Sequence, residues 1–155
     1  MDSYQFIKTL HIISSAVLFG TGLGTAFFFF CANRQNNLAA RFFAARTTVA
    51  ADFLFTLPAV IFQPLTGFWL VSQSGYHLTE GWLIATYILY VIAGLCWVPV
   101  VFIQIRLKKI LKKSLASNKA LPVSYARLLR LWFLLGWPAF GGLIAIYFLM
   151  VLKPA

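Results

Sequence analysis

A lysine (Lys8) and a histidine (His11) lie three residues apart near the start of the first apolar stretch, in the segment FIKTLHIISS. Ionisable side chains inside a membrane segment are rare and are candidates for function. A neutral imidazole can ligate a haem iron or a metal through one ring nitrogen, so His11 is a candidate axial ligand of haem b. The alternative is a structural histidine that is hydrogen-bonded by Ser14, Ser15 or a facing backbone carbonyl.

The two other residues that could join a His11 site are Lys8 and His77. Lys8 occupies a neighbouring position on the same helix surface, where it can hold a haem propionate or extend its ammonium group into water. His77 lies in the second connection and is the weaker candidate for a site shared with His11. Two histidines without a nearby cysteine or carboxylate make a poor zinc site, and two methionines are few for a copper carrier.

Asp52 is the one acidic residue inside a predicted membrane span. It should fall in the first two turns of the second helix, where the helix dipole favours an acid. Arg46, Arg106 or Arg130 could pair with it across the same end of the bundle. We therefore predict a structural cap or ion-pair partner rather than a functional acid. A proton-coupled transporter would need an acid near the bilayer centre, and the sequence offers none there.

The elements that position these residues follow from the composition. Of the 155 residues 61% are hydrophobic and 10% charged, with a mean hydropathy of +0.85, whereas a soluble domain has about 25% charged residues. A helix needs about 20 apolar residues to cross the hydrocarbon core. The sequence therefore predicts an all-α, up-down-up-down bundle of four transmembrane helices in a lipid bilayer, a single domain over residues 1–155. The predicted spans are 6–32, 48–71, 82–105 and 131–152.

Basic residues are concentrated in two of the three connections. The first connection holds three arginines, the second holds no lysine or arginine, and the third, the basic loop 106–130, holds eight basic residues. The positive-inside rule then places the first and third connections in the cytoplasm of a bacterial inner membrane, with both termini outside. Anionic lipid is the expected partner of the basic loop, and nucleic acid is not. The segment IQIRLKKILKK predicts an amphipathic extension of the third helix near anionic headgroups.

The first helix carries a stripe of small and polar residues at spacings of three and four, which places them on one face. We expect this stripe to face the bundle interior, and the block 27–30 to face lipid. Gly20 and Gly24 form a GxxxG pair, so a homodimer or a contact with another membrane protein is also open. The stripe consists of His11, Ser15, Leu18, Gly22 and Thr25.

Several helices contain proline, which leaves the carbonyl four residues earlier without its helical partner. A neighbouring helix or water must satisfy that carbonyl. Pro58 and Pro138 are therefore candidates for kinks that open a pocket. Gln63 and Gln104 lie within or at the ends of predicted spans, and we predict that they hydrogen-bond between helices rather than bind a ligand.

Four segments resemble known membrane proteins: IKTLHII, TLPAVIFQPLTGFWLV, GWLIATY, and GWPAF followed by MVLKP. The chain resembles a bacterial family known as predicted four-helix integral membrane proteins. More distantly it is similar to HemJ-type protoporphyrinogen oxidases and to CopD-like membrane domains. The resemblance implies a four-helix membrane fold and a haem b site. The matching residues are Lys8, His11, Pro58, Ala59, Gly67, Leu70, Trp82, Leu83, Pro138, Lys153 and Pro154.

Two departures concern polar groups of the HemJ-type proteins. Those proteins carry a histidine and a lysine where this chain has Ile84, Ala85 and Thr86, and an Asn-Glu pair where it has Gly136 and Trp137. Haem binding in a redox or haem-related role thus remains an expectation, whereas protoporphyrinogen oxidation does not carry over. The alternative expectation is a non-catalytic membrane assembly subunit, and a small transporter or copper-handling protein comes third.

Overall fold

The computed structural model describes residues 2–154, which form four long helices joined by three short connections. They are α1 (Ser3–Arg34), α2 (Leu38–Ser74), α3 (Gly81–Ser117) and α4 (Val123–Leu152). Within this part of the chain there is no strand, and each helix is long and apolar enough to cross a membrane. The predicted all-α bundle of four membrane helices is confirmed.

The helices extend beyond the predicted spans. α2 begins at Leu38, and the basic loop 106–130 is helical except for residues 118–122. The predicted extension of the third helix is confirmed, since α3 continues to Ser117. A helix of 37 residues such as α3 is about 55 Å long. It is therefore much longer than the hydrocarbon core of about 30 Å.

Local sequence sets where the helices begin and end. The side chains of Asp2 and Asn37 accept backbone N–H groups from the first turns of α1 and α2, as N-cap residues do. Gly75 directly follows the last residue of α2, and its φ of 74° lies in the left-handed region that glycine adopts without steric cost. Because the connections are short, consecutive helices are antiparallel neighbours.

The two ends of the bundle are packed differently. The basic end, which holds connections 35–37 and 118–122, contains the main apolar core. At the termini end, which holds Asp2, connection 75–80 and Lys153, the helices pair as α1 with α2 and α3 with α4. Aromatic rings make contacts between these two pairs. The core consists of Phe29, Ala44, Ala45, Val100, Ile103, Leu107, Leu111, Tyr125 and Trp132.

The extension of α3 packs against protein. Leu107 and Leu111 are fully buried in the same cluster as Ala44 and Ala45 of α2 and Tyr125 of α4. The apolar face of the extension therefore does not lie on lipid headgroups, because α2 and α4 are also longer than their predicted spans and cover it. The basic side chains of the extension remain on its outer side.

The phenylalanine block of α1 corrects one prediction. Phe27, Phe28 and Phe30 are exposed as expected, but Phe29 is fully buried. Its ring lies edge-on to Trp132, with the ring centroids 5.2 Å apart. Four consecutive helical residues cover a whole turn, so one of them must point into the bundle.

The predicted small-residue stripe of α1 is divided. Its Leu18 is buried, whereas a Cβ added to its Gly22 would meet no atom within 4 Å. The first half of the stripe thus faces the bundle, as predicted, and Gly22 in the second half has open space beside it. The GxxxG glycines Gly20 and Gly24, on another face of α1, also have open space.

Candidate functional site

His11 joins α1 to α2. Its Nδ1 lies 2.7 Å from Oγ1 of Thr66, a buried residue of α2. One turn away the side-chain amide of Gln63 donates to the backbone carbonyl of His11 at 2.8 Å. The predicted role of Gln63 as an interhelical hydrogen-bonding residue is confirmed. We call His11, Gln63 and Thr66 the His11 cluster.

The hydroxyl of Thr66 relates the tautomer of His11 to the backbone of α2. This hydroxyl lies 2.8 Å from the Phe62 carbonyl and 2.7 Å from His11 Nδ1. If its one proton goes to the carbonyl, its oxygen accepts from Nδ1–H, and Nε2 of the neutral ring has a free lone pair. Among residues 2–154 no side chain or backbone group donates to Nε2.

The predicted partners of His11 are different from the observed one. Ser15 donates instead to the Ile12 carbonyl at 2.7 Å, and the Ser14 hydroxyl is buried without a hydrogen-bond partner among the described residues. Both serines are close to His11 in sequence, but a side chain on the same helix points along its own surface. The facing helix supplies Thr66 instead.

Near this cluster a proline in α2 removes one helical hydrogen bond, and a side chain of the neighbouring helix α3 replaces it. Pro64 has no N–H, so the carbonyl of Val60 lacks its helical partner. The hydroxyl of Tyr90 on α3 donates to that carbonyl. The predicted need for a neighbouring helix to satisfy a carbonyl freed by proline is met here, at Pro64 rather than at Pro58 or Pro138.

A second polar group, the Asp52 cluster, joins α2, α3 and α4. The carboxylate of Asp52 accepts from Thr56 Oγ1 at 2.8 Å and from the amide of Gln104. The indole N–H of Trp132 donates to Gln104 Oε1 at 3.2 Å. Since an indole nitrogen can only donate, this bond orients the amide, with its NH₂ group toward Asp52. All four side chains are buried.

Asp52 begins a π-helical segment, Asp52–Thr56, within α2. The N–H of Leu57 bonds to the carbonyl of Asp52, five residues earlier. Pro58 follows directly and cannot donate to the turn before it, which favours a wider turn at this point. The wider turn also sets Thr56 beside the Asp52 carboxylate.

The predicted role of Asp52 as a helix cap or ion-pair partner is wrong. α2 begins at Leu38, so Asp52 lies in mid-helix and not in the first turns. Its partners are Thr56 and Gln104, with no arginine among the described residues bonded to it. The three arginines that were predicted to pair with it, Arg46, Arg106 and Arg130, are exposed. The prediction that Gln104 bonds between helices is confirmed.

A family model described as "Predicted integral membrane protein (DUF2269)" matches residues 5–154. The chain belongs to this family. No curated protein and no solved structure matches the chain. The assignment to DUF2269 agrees with the four membrane helices and extends over both polar clusters.

The remaining candidates of this DUF2269 chain lie apart from the two clusters. Lys8 is exposed one turn before His11, and His77 is exposed in connection 75–80, where its carbonyl accepts from Glu80 N–H. Pro58 and Pro138 both lie on the outer surface. Within residues 2–154 no group of three His, Cys, Asp or Glu side chains could hold a metal ion.

The sequence reasoning missed three residues that complete the clusters: Thr66, Thr56 and Trp132. Thr66 could have been found, because it lies three residues after Gln63 and thus on the same face of α2. Thr56 could have been found by its spacing of four from Asp52. Nothing in the sequence relates Trp132 to Gln104, since they lie on different helices.

Proposed function

We propose that this membrane protein binds haem b through His11, in a redox or haem-related role. One observation carries the proposal: the 2.7 Å contact between His11 Nδ1 and Thr66 Oγ1. In metal sites a histidine ligates through one ring nitrogen, and a hydrogen bond at the other nitrogen orients the ring and tunes its basicity. In the tautomer protonated at Nδ1 the ring donates to Thr66 and Nε2 is unprotonated, which is the state that ligates iron.

The residues around His11 fit such a ligand in their chemistry. Gly67 faces the imidazole, and even a Cβ there would lie 3.5 Å from His11 Cε1, an ordinary van der Waals distance, so α2 does not crowd this edge of the ring. Lys8 is exposed one turn away and can pair with a propionate. When bound, haem supplies one-electron chemistry, and the protein supplies orientation and an apolar surrounding.

The resemblance to HemJ-type and CopD-like proteins supports a haem-related role and leaves the reaction open. His11 and Lys8 correspond to the HemJ-type opening segment. The further polar groups are replaced by Gly136 and Trp137 and by the segment 84–86. We therefore propose haem binding without protoporphyrinogen oxidase activity.

We place the protein in a bacterial inner membrane with both termini outside. The support is the charge of the basic end, which holds eleven of the thirteen basic residues of the chain and should face the cytoplasm. Asp52, the one acidic residue in that half, is buried and does not offset the surface charge. Anionic lipid headgroups are the proposed partners of this surface.

The test is an absorption spectrum of the full-length protein, purified after expression with ample haem. The wild type should show a Soret band, and His11→Ala should lose it. Thr66→Val keeps the ligand but removes the orienting bond, so haem affinity should fall by about 10–100-fold. His77→Ala is the matched control and should keep the full band. A colourless wild-type protein, or a band that persists in His11→Ala, would overturn the proposal.

A second candidate, a non-catalytic assembly subunit, is favoured by the open face of α1. A Cβ on Gly20 or Gly24, the GxxxG pair, would meet nothing within 4 Å, and small residues allow a second helix to approach closely. The partner would be another membrane protein or a second copy of this chain. Gly24→Leu should then release that partner on gel filtration while His11→Ala retains it.

A further inference from the structure

Two open cavities lie side by side at the termini end of the bundle. One, of about 540 Å³, is lined mainly by polar side chains, and the other, of about 590 Å³, mainly by apolar ones. They share Ser3 and Trp69, so the two cavities adjoin. The polar cavity is bordered by Tyr4, Gln73, Ser74 and Tyr76, and the apolar one by Phe6, Ile7, Leu65 and Thr66.

The polar cavity carries one positive and one negative side chain that are not bonded to each other. Lys153 and Asp2 both line it. Asp2 accepts from the Tyr4 N–H at 3.5 Å, and Lys153 Nζ donates to the Tyr76 hydroxyl at 3.1 Å. A ligand that enters this cavity thus meets an ammonium group and a carboxylate group.

Aromatic rings hold the Lys153 ammonium group in place. Nζ lies 4.6 Å from the ring centroid of Tyr76 and 5.7 Å from that of Trp82. Cation–π contacts of this kind fix a lysine without neutralising it. An ammonium group has three N–H donors, and one is used by Tyr76, so two remain for an anionic ligand.

We propose that the paired cavities bind one phospholipid with a primary-amine headgroup, phosphatidylethanolamine. Its phosphate contacts Lys153, its ammonium group contacts Asp2, and the first part of an acyl chain occupies the apolar cavity beside Leu65. A zwitterionic head matches the charges of the polar cavity, and an amphiphile matches the polar-to-apolar order of the two cavities. The apolar cavity also reaches Thr66, the hydrogen-bond partner of His11. The lipid site therefore borders the proposed haem site, although lipid binding does not require haem.

The position of the cavities favours a lipid over a soluble zwitterion. Trp69, Tyr76 and Trp82 lie near the ends of α2 and α3, where aromatic residues mark the membrane–water boundary. A phospholipid head lies at that same level. A soluble molecule with the same head would leave the apolar cavity unused.

Native mass spectrometry of the full-length protein tests the site. The wild type should retain one phosphatidylethanolamine in preference to phosphatidylglycerol. Lys153→Gln should lower its retention about tenfold, the change expected for one lost charge-assisted bond, and Lys153→Arg should retain it. Asp2→Asn should abolish the preference over phosphatidylglycerol. Lys119→Gln, at an exposed lysine of connection 118–122 that lines neither cavity, is the control and should behave as wild type.

Three results would overturn the proposal. One is equal retention of phosphatidylethanolamine by the wild type and Lys153→Gln. Another is a wild type that prefers phosphatidylglycerol. The third is displacement of the lipid by soluble phosphoethanolamine at equal concentration, which would show that the apolar cavity adds nothing. Gel filtration and thermal unfolding of each variant, measured alongside, show whether lost binding reflects a lost fold.

Discussion

The Asp52 cluster and the His11 cluster both connect helices through polar side chains in an apolar bundle. They differ in whether a hydrogen-bonding atom remains without a partner. In the Asp52 cluster each carboxylate oxygen accepts a hydrogen bond, and both ends of the Gln104 amide are used. In the His11 cluster one ring nitrogen is bonded and the other has no donor among residues 2–154. The first cluster is closed, and the second is open at one atom.

This difference separates a packing role from a binding role. A buried polar network that is fully satisfied holds its helices in one arrangement and has no group to offer a ligand. An oriented imidazole with a free lone pair has such a group. Asp52 therefore explains how α2, α3 and α4 are held, whereas His11 is the residue on which a function can rest.

The largest expected effect comes from Gln104→Leu in the closed cluster. The change leaves a carboxylate oxygen and the Trp132 N–H without partners in a buried site. We expect the free energy of unfolding to fall by about 3 kcal/mol, within the range for an unsatisfied partner of a charged group. Unfolding in a detergent titration measures it.

Asp52→Asn is the matched control for Gln104→Leu. An asparagine keeps the shape of the side chain, can accept from Gln104 and can donate to Thr56. Its effect should be well below that of Gln104→Leu. If both variants unfold like the wild type, the Asp52 cluster does not stabilise the bundle, and the contrast with His11 loses its basis.

A smaller effect is expected for Tyr90→Phe, next to the open cluster. The variant leaves the Val60 carbonyl freed by Pro64 without its donor, at a cost of about 1 kcal/mol. Tyr87→Phe is the control on the same face of α3, because the Tyr87 hydroxyl is buried without a partner among the described residues. Its removal should be neutral or stabilising. Equal losses in the two variants would show that the hydroxyls act only through packing.

Sequence alone predicted the elements and part of the site. Hydropathy located four helices because each apolar stretch exceeds the length of a span, and the spacing on α1 selected the face that carries His11. The starts of α2 and α4 were predicted too late. Basic residues in a helix that continues past the membrane cannot be distinguished by hydropathy from the residues of a loop. The partners Thr66 and Trp132 depend on which helices face each other, and hydropathy contains no information on that.

The π-helical turn at Asp52 shows the same limit in another form. Pro58 is evident in the sequence, but whether the turn before it widens depends on whether the side chains of that turn find hydrogen-bond partners on other helices. Here Gln104 from α3 supplies one. The prediction of a capped or ion-paired Asp52 failed because the start of α2 was placed ten residues too late, so a mid-helix residue was taken for a terminal one.

The smallest effect is expected for Gly67→Ala, which tests how much free space surrounds the imidazole of the His11 cluster. The added Cβ would lie 3.5 Å from His11 Cε1, an ordinary van der Waals contact. Alanine also favours a helix over glycine, so the free energy of unfolding should rise by about 0.5 kcal/mol. Haem affinity, measured by titration of the apoprotein, should stay within about twofold, since Nε2 keeps its lone pair and Nδ1 its bond to Thr66. A loss of stability or of haem would mean that the imidazole needs the space beside Gly67, and the His11 cluster would then be as closely packed as the Asp52 cluster.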